Sequence, residues 1–471
     1  MRLINYKQIL FIIVMMNCKF LFAQDGQMRK NTNDHLGSNF FVERRREVRN
    51  QMPENSVAVF FSNPVRNRSN DVDYEFHQDP NFYYLSGFLE PNSIFLIYKK
   101  PILFNNILTD EILFIQDRNE KQEVWTGRTS SINAAKGFTG FKSVFFTSEF
   151  LQDSSFFGDS TLTILRLKKP AGLVEAKGET NGLFQLFNHF KTLSTNDGLV
   201  VDDFILKKVL SSLREVKTME EIELIAKSVS ITCDGFVAMM RNVKPDMTEF
   251  QVQAEGEYVF RKKGAESIGY PSICGSNENS CVLHYTTNRR TFVGNELILL
   301  DMGAEYHGYS ADVTRTIPVN GRFSKEQRLI YQLVFDAQKA GIDACQVNNR
   351  FQEPHENAVK IIAEGLLKLG IIKETNEYKK YFMHSTSHYL GLDVHDPGTF
   401  GPLKNGTIIT VEPGIYIPEN SPCDKKWWNI GVRIEDDILV RPSGPINLSE
   451  KAPRSIEEIE RLHVNSDLMN K

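Results

Sequence analysis

The feature that most constrains this chain is a pattern that occurs twice: an apolar strand, a carboxylate, one further residue and a glycine. Gly294-Asn-Glu-Leu-Ile-Leu-Leu-Asp301-Met-Gly303 and Gly406-Thr-Ile-Ile-Thr-Val-Glu412-Pro-Gly414 share it, and each leads to a second strand bearing another acid, Asp312 and Glu435 respectively. An ionised carboxylate at the end of a Leu-Ile-Leu-Leu run costs free energy unless it is paired, hydrogen-bonded or bound to a cation. Taken singly, Asp301 or Glu412 reads as a turn cap that accepts amide hydrogen bonds ahead of its glycine. Four acids in matching contexts favour another reading, an internal duplication that gathers them in one region of a pseudo-symmetric sheet.

Histidines supply the second piece. Met383-His384-Ser-Thr-Ser-His388-Tyr-Leu-Gly-Leu-Asp-Val-His395-Asp396 holds three of the ten histidines in the chain. A neutral imidazole is the usual nitrogen ligand of transition metals and also transfers protons near neutral pH; hydrogen-bonded structural histidines are the alternative. Four carboxylates and one imidazole make an oxygen-rich site, which suits manganese better than copper or a structural zinc. Bridging carboxylates favour two ions about 3.5–4 Å apart, an arrangement used for hydrolysis. His355-Glu356 opens like a zinc-protease helix, but Val359 stands where the second histidine belongs. Neither a phosphate-binding G-x-x-x-x-G-K-[ST] loop nor a G-x-S-x-G elbow occurs.

The 471 residues suffice for two or three domains. From Phe40 to Leu206, strand-length runs (Val57 to Phe61, Ile94 to Tyr98, Ile112 to Ile115, Val144 to Phe146, Thr161 to Leu165) alternate with polar or helix-like segments, an α/β pattern. Leu213, Val216, Met219, Ile222, Ile225, Ala226 and Val229 then recur at helical spacing, predicting one long amphipathic helix that opens a new domain near residue 208. Helices are expected over 250–263, 325–344 and 356–369. The domains are thus read as 38–207 and 208–464.

Residues 1–24 carry Arg2 and Lys7, an apolar run from Ile9 to Met16 and Ala23 at a cleavage-like position, the pattern of a secretory leader that places the protein in the periplasm or outside the cell; without such a leader it would be cytoplasmic. No later stretch reaches the ~18 apolar residues of a membrane helix. With 55 basic and 59 acidic residues, net −4, and no basic block, nucleic acid is not an expected partner. Six cysteines without a C-x-x-C pair exclude a zinc ribbon and leave at most an isolated bridge such as Cys274 to Cys281.

Five ordered segments resemble the "pita-bread" metallopeptidases, and among them the aminopeptidase P type, with prolidase as the nearest relative: Val282-Leu-His284-Tyr-Thr-Thr-Asn288, Leu300-Asp301 through Asp312-Val-Thr-Arg315-Thr, His384 to Asp396, Val411-Glu412-Pro-Gly-Ile-Tyr416 and Gly431-Val-Arg433-Ile-Glu435-Asp-Asp. The resemblance implies a creatinase-like N-terminal α/β domain followed by a pita-bread domain with pseudo-two-fold symmetry. It implies a dinuclear centre, two Mn²⁺ or other divalent ions such as Co²⁺ or Zn²⁺, with Asp312 and Glu435 bridging, Asp301 on one ion, and His388 and Glu412 on the other. It gives His284 and His395 the task of steadying the substrate carbonyl and tetrahedral intermediate, and Glu412 that of moving a proton. His384, Val394, Tyr416 and Arg433 fall at substrate-pocket positions. The implied activity is release of the N-terminal residue from peptides with proline second, through a bridging hydroxide; the alternatives are a prolidase acting on Xaa-Pro dipeptides and a non-catalytic peptide-binding relative. Asn67 to Tyr74 and Gln78 to Phe88 resemble the segment that, in bacterial members, reaches a neighbouring subunit's active site, and Trp125-Thr-Gly-Arg128 follows the same family pattern, so a homo-oligomer (dimer or tetramer) is expected; ordinary core strands are the alternative for these aromatics. Ser385 and Thr386 depart from the family pattern.

Overall fold

The computed structural model describes residues 34–469 apart from 154, 158–160, 168–181 and 196–198, with side chains as far as 463. The leader expected at 1–24 lies outside the described residues. The chain divides into two compact units between Leu210 and Ser211.

The first unit is built on a six-stranded mixed sheet of β1 (Ser56–Phe61), β2 (Ile94–Phe104), β3 (Ile107–Ile115), β4 (Ser143–Phe146), β5 (Thr163–Arg166) and β6 (Val200–Asp202), in the order β4-β3-β2-β1-β5-β6. β1 runs antiparallel to β2 and parallel to β5. Apolar runs make these strands because one face must be covered: Phe104, Phe114, Phe150, Phe156 and Phe190 are buried in a single cluster with Val57, Ile94 and Ile164. The second strand is longer than its apolar run. Lys99 to Phe104 continue it, and Asn105 and Asn106, at φ 47° and 61°, make the two-residue turn into β3. Asparagine tolerates that left-handed backbone, and two such residues favour a type I′ hairpin. The aromatics of Gln78 to Phe88 are on a helix, Pro80–Ser86, capped by Asp79 and ended by Gly87 in the left-handed region, rather than on a core strand.

Over residues 205–242 the expected single helix is two. Ile205–Glu215 ends, Val216 bridges to Thr407, and a new helix starts at Met219 and runs to Asn242. Thr218 and Glu221 form a reciprocal cap, Thr218 N–H donating to Glu221 Oε2 at 2.9 Å, and Glu221 N–H to Thr218 Oγ1 at 3.3 Å. The apolar spacing passes through the break unaltered, whereas the T-x-x-E signature marks it. The other three helices run over Glu249–Lys262, Lys325–Asp343 and Glu353–Lys368.

Between them lies the duplication. β7 (Ile273–Ser276), β8 (Leu297–Met302) and β9 (Val313–Pro318) form one sheet; β10 (Ile408–Val411), β13 (Asp436–Leu439) and Ile446–Asn447 form another; β11 (Gly414–Ile417) and β12 (Ile430–Arg433) form a hairpin between the acids of the second copy. The first copy has a smaller hairpin at the same place, Ala304–Tyr306 with Tyr309–Ser310. The halves join where Glu435 N–H donates to Thr314 O at 3.1 Å. Behind that junction, Arg315 and Asp436, both without solvent exposure, pair at 2.7 Å. The repeated glycine follows from close approach: a Cβ at Gly303 would stand 1.8 Å from Ala311 O, and one at Gly414 2.4 Å from the Tyr416 hydroxyl. Cys274 and Cys281 are both free thiols, so the candidate bridge does not form. Among the described residues no helix is long and apolar enough to cross a membrane.

Candidate active site

The duplicated strand ends open into a cavity of about 680 Å³ whose lining includes Asp301, Asp312, Glu412, Glu435, His284, His384, His388, Val394, His395 and Arg433. Asp301 lies at the end of β8, Asp312 just before β9, Glu412 just after β10 and Glu435 just before β13. Antiparallel pairing of β8 with β9 and of β10 with β13 therefore brings the four carboxylates, from positions over 130 residues apart, to one place. The histidines come from the loop before β10 and, for His284, from the segment after β7.

Asp312, His388 and Glu435 present ligand atoms that all lie within 4.8 Å of one another. His388 Nδ1 donates to the Tyr389 carbonyl at 3.0 Å, which leaves Nε2 facing the cavity as the atom a metal would take, 3.4 Å from Asp312 Oδ2 and 3.6 Å from Glu412 Oε1. Orientation of a ligand imidazole by a carbonyl behind it is the usual arrangement at metal sites. Asp301 is held differently: Arg433 Nη2 donates to its Oδ2 at 2.5 Å, and the Tyr270 hydroxyl stands 2.6 Å from its Oδ1. The same hydroxyl is 2.5 Å from Asp312 Oδ1, and with one proton it bonds one oxygen at a time. Thr314 Oγ1 donates to Glu435 Oε2 at 2.6 Å.

Charge in the cavity is out of balance. Four carboxylates face two cationic side chains, Arg433 and His388. Burial, reinforced by Asp312, Glu412 and Asp301, drives the Glu435 carboxyl well above the ordinary range. Burial also raises Glu412, to about 7, against the pull of His388 and Arg433, and raises Asp301. Burial would lower His388, but Asp312 and Glu412 override it and lift the imidazole to about 9. Protons are doing what divalent cations do better, and an oxygen-rich set with one oriented imidazole fits such ions.

Two other histidines are neutral by environment. Burial and Arg433 lower His384 to about 4. Its Nδ1 is 2.8 Å from Ser385 O, so Nε2 accepts from the Tyr416 hydroxyl at 2.8 Å, and that hydroxyl accepts from Arg433 Nη1 at 2.9 Å. Burial and His388 lower His395, whose ring centroid is 4.3 Å from that of His388.

Of the residues expected here from sequence, Tyr416 does not line the cavity. It is fully buried behind it, because β11 is covered on both faces, and acts through Arg433 and His384. Tyr270 and Thr314 escaped the sequence reading: neither has a counterpart in the other copy, and a tyrosine or threonine beside a strand is ordinary. His355 returns in another place, its Nδ1 2.9 Å from the buried hydroxyl of Thr386, within the loop that carries His384 and His388.

Comparison with known proteins matches residues 223–442 to "Metallopeptidase family M24" and 41–157 to "Aminopeptidase P, N-terminal domain". The Xaa-Pro aminopeptidase of Haemophilus influenzae is 33% identical over 90% of this chain and 96% of its own, and that of Escherichia coli 33% identical over 90% and 97%. The chain is an M24 metallopeptidase of the aminopeptidase P family. Its structure superposes on Pseudomonas aeruginosa aminopeptidase PepP with a TM-score of 0.81, 30% identity, 92% of this chain and 100% of that one. An aminopeptidase P is a metal-dependent enzyme, and the buried acids around His388 are where this chain offers ligands for divalent metal.

Proposed function

We propose that the chain removes the N-terminal residue from peptides with proline in second position, using two divalent ions, Mn²⁺ in the first instance. The observation that carries this is the convergence of Asp312, His388 and Glu435 within 4.8 Å on a cavity walled by His284, His384 and His395. The relatives' names support the substrate: both bacterial ones are Xaa-Pro aminopeptidases. Asp312 and Glu435 would bridge the ions, with Asp301 on one and His388 and Glu412 on the other. When bound, such a pair supplies Lewis acidity to the scissile carbonyl and makes hydroxide available at neutral pH.

The chain's own groups do the rest. Glu412 faces the cavity, and among the described residues its nearest donors are His388, 3.6 Å away, and His384, 3.8 Å away; from there it would take a proton from water and pass it to the leaving nitrogen. His284 and His395 face the same cavity and donate to the oxygen where negative charge develops, worth a few kcal/mol when the donors are fixed beforehand. Val394, Ile273 and Leu283 give an apolar wall for the ring. A bond before proline lacks an N–H and has a fixed φ, so recognition by a compact pocket replaces recognition of an extended backbone.

The Asn67–Ser69 and Val72–Asp73 hairpin and the helix bearing Trp125, which is 88% exposed, support assembly of a homo-oligomer through the first unit. The leader-like residues 1–24 support export to the periplasm or beyond. The test is a peptide panel after reconstitution with Mn²⁺: an Xaa-Pro-Pro tripeptide should lose its first residue. Cleavage of Xaa-Pro dipeptides alone would select the prolidase reading, and inactivity of the metal-replete protein would overturn both.

A further inference from the structure

The geometry points to Arg214 and Lys217 as positioning residues that hold His395 in the cavity through Asp396. The inference rests on the catalytic reading of His395 given above.

Tyr389 and Asp396 form an antiparallel bridge, Asp396 N–H donating to Tyr389 O at 2.9 Å, which closes the loop between them. Successive side chains of extended backbone point to opposite faces. Tyr389 enters the core with Phe351 and Ile409, while His388 and His395, each one residue earlier, turn to the cavity. Asp396 goes to the back. There its Oδ1 accepts from Arg214 Nη2 at 2.5 Å and from Asp393 N–H at 3.2 Å, and its Oδ2 accepts from Lys217 Nζ at 3.1 Å. Arg214 Nη2 also reaches Asp393 Oδ2 at 2.8 Å. The side chains of Arg214, Lys217 and Asp396 are at most 2% exposed.

A buried lysine is a costly anchor unless its charge is met. Here two cations meet two carboxylates, so the set is neutral, and no member can leave without stranding another. Gly391 makes the room: a Cβ there would stand 2.5 Å from Asp396 Oδ2. The segment that carries the cations is itself fixed, since Val216 bridges to Thr407, Lys217 N–H donates to Gly406 O at 3.0 Å, and Glu215 accepts from Thr399 N–H at 2.8 Å. The interruption between the two helices thus docks on the residues that lead into strand β10 and on the histidine loop together. It fixes the back of the loop, and with it the ring on the front.

The test is a double-mutant cycle of Lys217→Met and His395→Ala, read as kcat, KM and manganese bound per chain. Lys217→Met should lower kcat by about 10–100-fold, the range for residues that orient an active-site imidazole. KM and bound manganese should hardly change. In the His395→Ala background the same substitution should cost less than about threefold, because the ring it orients is gone. Equal losses in both backgrounds, or a folded K217M protein with undiminished kcat, would overturn the clamp. If H395A keeps full kcat, the catalytic reading of His395 falls instead. The clamp is then judged by the ring itself, and a 4.3 Å separation from His388 persisting in a crystal structure of K217M would sink it. Should K217M not fold, Arg214→Lys, which keeps the charge and loses the planar head, enters the same cycle.

Discussion

The two copies of the strand-acid-glycine pattern do different things with the same sequence context. In the first, both oxygens of Asp301 are engaged, one by Arg433 and one by Tyr270. In the second, the cationic groups nearest Glu412 among the described residues are two imidazoles, at 3.6 and 3.8 Å. One copy therefore ties its carboxylate to an arginine and a tyrosine, and the other sets its carboxylate beside the histidines. Duplication supplied matching backbones, and unmatched neighbours, Tyr270 on one side and the histidine loop on the other, divided the labour. The anchors differ as well. The loop of His284 hangs on Glu249, which accepts from Ser276, Asn279, Tyr285 and Arg290, a hub of hydrogen bonds. The loop of His395 hangs on the Arg214, Lys217 and Asp396 ion network.

The comparison is broken most directly at Glu412. Glu412→Gln should leave a folded protein by circular dichroism and cost about 10²–10⁴-fold in kcat, the size of a general acid-base contribution; retained turnover would mean another group moves the proton. Arg433→Met attacks the other copy. It strands Asp301 in a buried site, a loss of about 3–5 kcal/mol when one partner of a buried pair is removed. Urea unfolding should show that loss in chelator and a smaller one in Mn²⁺, since added cations replace the missing charge. Tyr270→Phe is gentler, about 1.5–3 kcal/mol for one hydrogen bond to a charged group. The same urea series should place it below Arg433→Met, and an equal or greater loss would mean that the hydroxyl, not the guanidinium, fixes Asp301.

The anchors separate by pH. Burial raises the Asp396 carboxyl, but Arg214 and Lys217 outweigh it and hold the group below its ordinary range. Its contribution is therefore complete above the unfolded value, about 3.9, and declines as pH falls through the depressed folded value. The stability gap between the wild type and Asp396→Asn should be constant near pH 6 and narrow below about pH 4; a gap that persisted in acid would exclude the ion network as its source. The smallest effect is expected at His355→Leu, which leaves the Thr386 hydroxyl without that imidazole and should cost about 1 kcal/mol in thermal unfolding.

Much of the site is legible in the chain because its acids sit where acids are expensive. Asp301, Asp312, Glu412 and Glu435 betray themselves by ending or flanking apolar strands, and the spacing of His384, His388 and His395 falls on one loop. The N-terminal sheet shows itself through its apolar runs, with β2 overrunning the expected end because Ile102 to Phe104 pair through the backbone with Ile107 to Thr109, beyond the lysines at which the apolar run stops. The helix break at Val216 to Thr218 is hidden from apolar periodicity for a similar reason. A cap is a matter of hydrogen bonds, and the T-x-x-E pair is the only trace that it leaves.

What the sequence alone determined is the inventory and the pairing of the acids: alternation, apolar runs and turn glycines are local, and they dictate strands that end in carboxylates. What only the tertiary structure decided is which counter-charge each carboxylate meets. That depends on groups far along the chain, Arg433 on Asp301 and Arg214 and Lys217 on Asp396, and no local pattern encodes a contact between residues more than 130 positions apart. Such contacts form because burial removes water from all of these charges at once, and each must then find its counter-charge among whatever the fold has placed beside it.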